Sequence, residues 1–484
     1  MSTDRSAAFT SLQMQGVAKM DLRIDADAAA QRLSEAIRFK SVSNQDRSDF
    51  DEGAFTDFHA YLLETFPRLH AALKREVLGD PRAYSLLYTW TGQDPSLPPV
   101  VLMAHLDVVP VVPGTEDQWE HDAFSGDIAD GYVWGRGSLD DKVMVLAIME
   151  AIEMRLAGGF QPTRTTYLAF GQDEEVMGPE GAQHIAKVLQ ERGVTEIALV
   201  IDEGLPVTAG LFPGISDPIA LIGTTEKGYL TLELKVAGPG GHSAMPPANS
   251  NIGILAQAIT KVEASPFPFR VTQAVRDQMR YLGSDLPESW HAMLAGVAFG
   301  DGQASTADQQ LIASMTSRPE TRAMLHTTTA VTMVAGGVKE NVLPPVATAM
   351  INFRILHGDT VESVTEDVRR IIGDDRVEVV PGPQAIDPPP VADAFGKEYG
   401  LIERSIRQTW DLPGLLVSPY LVIGGADAKW FAPIAKNVYR FTAVRVESAA
   451  DAARWHGVNE RVLVSELPGT IAFFHQLLGN VEEL

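Results

Sequence analysis

The run Pro99-Val100-Val101-Leu102-Met103-Ala104-His105-Leu106-Asp107 decides the reading of this chain, because an apolar strand runs in it directly into a histidine and an aspartate. Outward from it, residues 97–202 alternate short apolar runs with amphipathic segments, the signature of βαβ units and a largely parallel sheet. The strand candidates are PVVLMAH (99–105), GYVWG (131–135), TTYLAF (165–170) and IALVID (197–202). Helices are expected between them at 143–157 and 178–192, the first apolar enough to be largely buried. Ligands gather at the carboxyl ends of strands in open α/β sheets, so the residues just after each strand carry the chemistry.

Four such ends follow one another. Alternation sends His105 and Asp107 to the same side of an extended segment, and a metal-bound imidazole usually donates its second N–H to a carboxylate, a role open to Asp107. The next end is Gly135-Arg136-Gly137-Ser138-Leu139-Asp140-Asp141-Lys142, where glycines permit a tight turn and Asp140 can face the same crevice. Taken alone, Asp140 or Asp141 reads as a helix cap. The third end, Gly171-Gln172-Asp173-Glu174-Glu175, is an acidic run of a kind that normally lies on a solvated surface. At the functional edge of a sheet such charge is tolerable if divalent cations neutralise it. Asp202-Glu203-Gly204 repeats the arrangement. His/Asp, Asp/Asp, Glu/Glu and Asp/Glu at successive strand ends describe a carboxylate-rich metal crevice.

Beyond Gly228 the pattern changes. Strands at 229–236, 327–334, 346–355 and 376–380 and helices at 250–264 and 360–372 give the order β-α-β-β-α-β, a ferredoxin-like unit. Residues 266–325 are too long for an ordinary connection and are read as an insertion with helix of its own. After Ile386-Asp387-Pro388-Pro389-Pro390 the αβ pattern resumes, with strands at 421–425 and 437–442 and a terminal helix near 462–478. The expected organisation is one discontinuous α/β domain, 1–227 and 386–484, interrupted by a smaller unit at 228–385.

Composition agrees. A chain of 484 residues with 45% hydrophobic residues has room for two cores. A net charge of −24, from 63 acidic against 39 basic residues, argues against nucleic acid or an anionic membrane as partner and favours a small molecule or short peptide. With no cysteine, metal can be held only by His, Asp and Glu. The first 25 residues lack the pattern of an export signal and no run is long enough for membrane insertion, so a cytoplasmic location is expected.

The motifs HLDVVP, WGRGSLDDK, DEE, IDEG, GHSAMPP, ENVLPP, INFRILHGD, IGGADAK and WHGVNE, in this order after about residue 25, resemble the M20 family of zinc peptidases and amidohydrolases, its carboxypeptidase S-like branch in particular. The resemblance implies a zinc-exopeptidase-like α/β catalytic domain interrupted by a ferredoxin-like lid. It implies two Zn²⁺ ions, for which Co²⁺ or Mn²⁺ could substitute. Asp140 would bridge them, with His105 and Asp202 on one and Glu175 and His456 on the other. Glu174 would be the general base, Asp107 the partner of His105, and His242 the lid histidine that reaches the partner active site in dimeric members. Asn341, Arg354, Gly424 and Gly425 would bind substrate. Where the family commonly has Gly-Gly-Thr-Asp-Ser, this chain has Gly424-Gly425-Ala426-Asp427-Ala428-Lys429, losing two hydroxyls from the substrate side. Taken alone, Arg354 would read as a structural ion pair and His242 as a turn cap.

The leading expectation is hydrolysis of an amide next to a free-carboxylate amino acid, in a peptide or an N-acyl amino acid. A two-metal phosphoesterase and a non-catalytic binding protein on the same fold are the alternatives.

Overall fold

The computed structural model describes residues 10–44, 46, 48–210, 215–300 and 305–484. The start of the N-terminal stretch read for an export signal, residues 1–9, and residues 301–304 of the insertion lie outside these.

The first part of the chain contributes strands β1 (Lys74–Leu78), β2 (Ser85–Trp90), β3 (Val100–His105), β4 (Tyr132–Trp134), β5 (Thr166–Gly171), β6 (Leu199–Asp202) and β7 (Ile219–Glu226). The middle contributes β8 (Gly228–Ala237), β9 (Thr328–Gly336), β10 (Val346–Ile355) and β11 (Val377–Pro381). The last part contributes β12 (Leu416–Val422), β13 (Val438–Arg440) and β14 (Arg461–Leu463).

The central sheet has the order β1-β2-β5-β3-β6-β13-β7-β12. Its β5–β3, β3–β6, β6–β13 and β7–β12 pairs are parallel, and antiparallel pairs occur at β1–β2, β2–β5 and β13–β7. Every residue of β3, β6 and β7 is buried. Strands covered on both faces need apolar side chains on both, which is why these runs do not alternate. One face carries the helix Lys142–Ala157, buried from Lys142 to Met149, packed against the helix Leu467–Asn480. The other carries the helix Ala182–Glu191 and the turn Asp427–Ile434, around Val101, Met103, Val200 and Phe431.

The expected strand 131–135 corresponds to β4, but it lies outside the central sheet. It pairs antiparallel with β14 and with Ile128–Ala129. A short apolar run between glycines has no local feature that names its partner. The pairing matters for the site, because it sets the loop after β4, with Asp140, beside the segment before β14, with His456. The β1–β2 edge precedes the region from which the αβ pattern was read and was not foreseen.

The smaller sheet follows the expected β-α-β-β-α-β order and is antiparallel throughout, β9-β10-β8-β11. In β8, Leu230, Leu232, Leu234 and Val236 are buried while Tyr229, Thr231, Glu233 and Lys235 are half-buried, the period of two of a one-sided sheet. The helices Asn251–Glu263 and Val361–Ile372 cover the apolar face. The second begins in a capping box between Thr360 and Ser363 and ends at Gly373, whose φ of +55° suits glycine.

The insertion is helical, with Gln273–Leu282, His291–Ala298, Thr306–Met315 and Pro319–Ala323. It does not enlarge the smaller unit in space. Val275, Met279, Leu294 and Leu311 share a core with Ile219 and Leu221 of β7 and Leu416 and Leu421 of β12. A buried pair, Arg276 to Asp308 at 2.8 and 3.0 Å, locks its helices together. The segment therefore interrupts the smaller unit in the chain but packs on the larger body. Among the described residues, no helix is long and apolar enough to cross a membrane.

Candidate metal centre

The end of β3 places His105, 1% exposed, at the C-terminal edge of the central sheet. Its Nε2 lies 2.9 Å from Asp140 Oδ1 and 3.8 Å from Glu203 Oε1. The other oxygen of Asp140 lies 2.9 Å from His456 Nε2, which is 3.2 Å from Glu175 Oε2. Two groups of donor atoms, each within 4.8 Å of one another, thus share Asp140: His105, Asp140 and Glu203 on one side, Asp140, Glu175 and His456 on the other. His456 sits at φ +57° in a tight loop that turns its ring toward the crevice.

The residues behind these are also committed. His105 Nδ1 faces Asp107, 2.9 Å from its carbonyl and 3.4 Å from its carboxylate. Both Asp107 oxygens accept backbone N–H groups, from Glu174 at 3.1 Å and Glu175 at 3.2 Å. One carboxylate therefore fixes the turn that presents both glutamates. Asp173 does the same from behind, accepting the N–H groups of Glu180 and Gly181 at 2.9 Å. Glu460, fully buried, accepts from the N–H groups of Gly137, Leu139 and Asp140 at 3.0, 2.7 and 3.2 Å. Arg136 pairs with Glu460 at 2.5 Å and donates to the carbonyls of His456 and Gly457 at 3.1 Å. This pair joins the two loops that carry Asp140 and His456.

The charges explain what the crevice is built for. Burial pushes Glu174, Asp141 and Glu203 well above the usual carboxylate range, and their acidic neighbours add to it. Burial, and then Asp140, push Glu175 up to about 7. Hydrogen bonds to Asp140 and Glu175 hold His456 up to about 10. Burial presses His105 down, but its bonds to Asp107 and Asp140 prevail and hold its proton well above the ordinary imidazole range. Buried acids at this density require positive charge, which divalent cations would supply at neutral pH. The donor set, all imidazole and carboxylate, fits Zn²⁺ or a similar ion, and the buried Glu175 Oε1 has no hydrogen-bond partner among the described residues.

The expected site residues separate into four groups. His105, Asp107, Asp140, Glu174, Glu175 and His456 come together. Asp202 lies beside them at the end of β6, but its Oδ2 accepts the Ala428 N–H at 2.7 Å, and the carboxylate that converges on His105 belongs to Glu203. Arg354 on β10 reaches the Gly424–Gly425 turn: a carbon placed on Gly425 would lie 3.9 Å from its guanidinium and 3.7 Å from Glu226 Oε1, whereas Gly424 faces open space. Arg354 stacks over the Tyr229 ring at 4.9 Å and has no acidic partner among the described residues. His242 and Asn341 stand apart, exposed on a short ladder of the smaller unit where Ser243 N–H donates to Asn341 O at 3.2 Å.

Sequence reasoning missed Glu203, Arg136 and Glu460, although all three lie inside the quoted motifs. It also did not assign Asp427, buried at 2% exposure with neither carboxylate oxygen hydrogen-bonded and Lys429 Nζ at 3.9 Å. Glutamates next to other acids carry no local mark of which one turns inward.

A mainly parallel sheet whose carboxyl edge holds two histidine–carboxylate groups joined by one aspartate defines a class, the metal-dependent α/β hydrolases. Within it, the chain belongs to peptidase family M20/M25/M40, whose sequence profile matches residues 101–480. It is 37% identical over 457 residues to a probable carboxypeptidase S-like protein of Dictyostelium discoideum, covering 94% of this chain and 85% of that one. It is also 37% identical over 457 residues to an N-fatty-acyl-amino acid synthase/hydrolase of Xenopus tropicalis, covering 93% and 85%. Carboxypeptidase S of Saccharomyces cerevisiae is 32% identical over 510 residues, covering 94% and 84%. The fold is shared with an M20 family metallo-carboxypeptidase of Sulfolobus solfataricus, at TM-score 0.66 and 17% identity over 95% of this chain and 100% of that one. It is shared likewise with human carnosine dipeptidase 1, at TM-score 0.63 and 17% identity over 95% and 97%. The chain is a hydrolase of the carboxypeptidase S-like branch.

Proposed function

We propose that this enzyme binds two Zn²⁺ ions and hydrolyses the amide bond next to a free-carboxylate amino acid, in a peptide or an N-acyl amino acid. The observation that carries the reading is the sharing of Asp140 between two histidine–carboxylate groups. His105, Asp140 and a carboxylate of the Asp202–Glu203 pair would hold one ion, and Asp140, Glu175 and His456 the other. Bound there, the ions supply Lewis acidity and lower the pKa of water. Glu174 lies next to the ligand Glu175, and its carboxylate makes no hydrogen bond or ion pair among the described residues. It takes the proton of the attacking water and returns it to the departing nitrogen, without which an amine is a poor leaving group. Asp107 keeps His105 oriented and holds the Glu174 turn.

Arg354, without an acidic partner, binds the substrate carboxylate with its planar fork of donors. His242 and Asn341 act on the active site of a second copy, with His242 stabilising the oxyanion. Supporting a homodimer, β9 is the edge of its sheet and exposes Met333 and Val334 at 66% and 65%, near Val338 at 96%.

A panel of dipeptides and N-acetyl, N-aromatic and N-lauroyl amino acids, run on zinc-reconstituted enzyme, tests the reading. Cleavage of one class, lost with EDTA and reduced about 10²–10⁴-fold in Glu174→Gln, is expected. Full activity in Glu174→Gln, or phosphate release from phosphoesters without amide cleavage, would overturn it.

A further inference from the structure

The larger body and the smaller unit meet where β7 ends and β8 begins, and Lys227 is the single residue between them. Its side chain is 2% exposed, an unusual place for an ammonium. The Nζ donates to two backbone carbonyls at the C-terminal end of the insertion, Ala323 within it at 2.9 Å and His326 just after it at 2.8 Å. Among the described residues no carboxylate lies within 4 Å of it.

The acids nearby are committed to other partners. Glu226 pairs with the fully buried Arg440 at 2.5 Å and accepts the Ala426 N–H at 3.1 Å. Asp359 pairs with Arg270 and accepts from Thr327 Oγ1 at 2.5 Å. Two residues beyond Lys227, Tyr229 is paired across the sheet with Arg354, a second cation here without an acidic partner among the described residues. Arg354 in turn faces Gly425. The junction therefore holds two cations without an acidic partner among the described residues, Arg354 half-buried against the Gly425 turn and Lys227 buried. Burial, and then the Arg354 charge, press the Lys227 ammonium down to about 7. Its charged form thus gains whenever an anion arrives in the crevice.

We propose that Lys227 is a specificity-determining residue for the substrate's free carboxylate. Its ammonium adds a second positive charge behind Arg354, and its two bonds to the insertion fix that subsite relative to the metal crevice. Lys227 does not touch the reacting atoms, so it is a positioning residue. The position of the insertion follows from this role. Its helices share a core with β7 and β12, the strands that lead into Glu226 and into the Gly424–Gly425 turn, so the clamp on Lys227 rests on the rigid body rather than on the lid. A buried charge with no partner acts at longer range than one exposed to solvent, because little water screens it.

The inference rests on the proposed amide hydrolysis beside a carboxylate, and its test separates the two. Steady-state kinetics of the full-length zinc enzyme are measured on whichever acid of the panel it cleaves and on the matching carboxamide. The proteins are wild type, Lys227→Gln and Lys227→Arg. Gln keeps a donor for the insertion carbonyls and removes the charge, while Arg keeps both. The expected result for Lys227→Gln is a KM for the acid raised about tenfold with kcat little changed, and an acid-over-amide preference reduced to match. Lys227→Arg should restore most of both. Melting temperature and zinc content, measured alongside, identify a folding defect. In that case Lys227→Met, which keeps the side-chain length without the charge, is measured on the same two substrates: a reduced acid-over-amide preference supports the proposal and an unchanged one overturns it. An unchanged acid-over-amide preference in folded Lys227→Gln overturns the role of Lys227. Wild type that cleaves acid and carboxamide equally well, or cleaves neither, overturns the carboxylate reading and the inference with it.

Discussion

The residues that decide this site do so through what they touch behind it. Glu460 makes no contact with substrate in the proposed reading, yet it holds three N–H groups of the Asp140 loop and the Arg136 guanidinium. Replacing it with Gln leaves a 1% exposed arginine without its counter-charge. A broken buried pair of this kind costs about 3–5 kcal/mol. Because both loops that would hold the proposed zinc ions depend on it, zinc affinity should fall by roughly 10–100-fold in chelator competition. Unchanged affinity would show that the loops hold their shape independently. His59 illustrates the opposite sign of charge. Burial, then Arg75, lower its pKa to about 4, so the fold accepts only the neutral ring. The unfolded chain binds that proton near 6.5, so His59 contributes stability above pH 6.5 that is lost as pH falls toward 4. The shift is worth up to about 3 kcal/mol. His59→Gln should lose stability less steeply than wild type between pH 6.5 and 4 in urea titrations, and parallel curves would refute this. Of these residues, the sequence pattern exposed those at strand ends. It was silent on Glu460 and Arg136, because burial of a charge depends on what folds over it.

At the scale of elements, the turn after β5 is the most constrained piece. Asp107 holds its start and Asp173 its end, and Gly178 closes it at φ +69°, where an added Cβ would lie 1.9 Å from Asp427 Oδ1. Gly178→Ala combines backbone strain with a clash against a buried carboxylate. It should destabilise the protein by about 1–3 kcal/mol and reduce turnover, since the same turn presents Glu174. Stability and kcat both at wild-type level would mean that the turn relaxes freely. The antiparallel pairing of β4 with β14 is the other decisive element, since it joins the Asp140 loop to the His456 loop. The sequence reading placed β4 in the central sheet, and a three-residue strand carries too few side chains to say otherwise.

For the whole molecule, the candidate metal crevice and Arg354 lie on one chain, whereas His242 and Asn341 are exposed on the smaller unit. The proposed second copy brings them into play. Lys at Met333 and Val334 together should convert a dimer into a monomer in light scattering. It should lower kcat at least tenfold while zinc content is retained. A wild-type protein that is monomeric and fully active would remove the partner's role. Local pattern was enough for the parallel strands, the β-α-β-β-α-β order and the acid-rich strand ends, because periodicity and residue type act within a few neighbours. Four things were settled only in three dimensions. These are the sheet that β4 joins, the packing of the insertion on the larger body, the approach of Glu203 to His105, and the burial of Lys227 away from any acid among the described residues. Each depends on which distant surface fits and which buried charge is already neutralised, and these are properties of the assembled core.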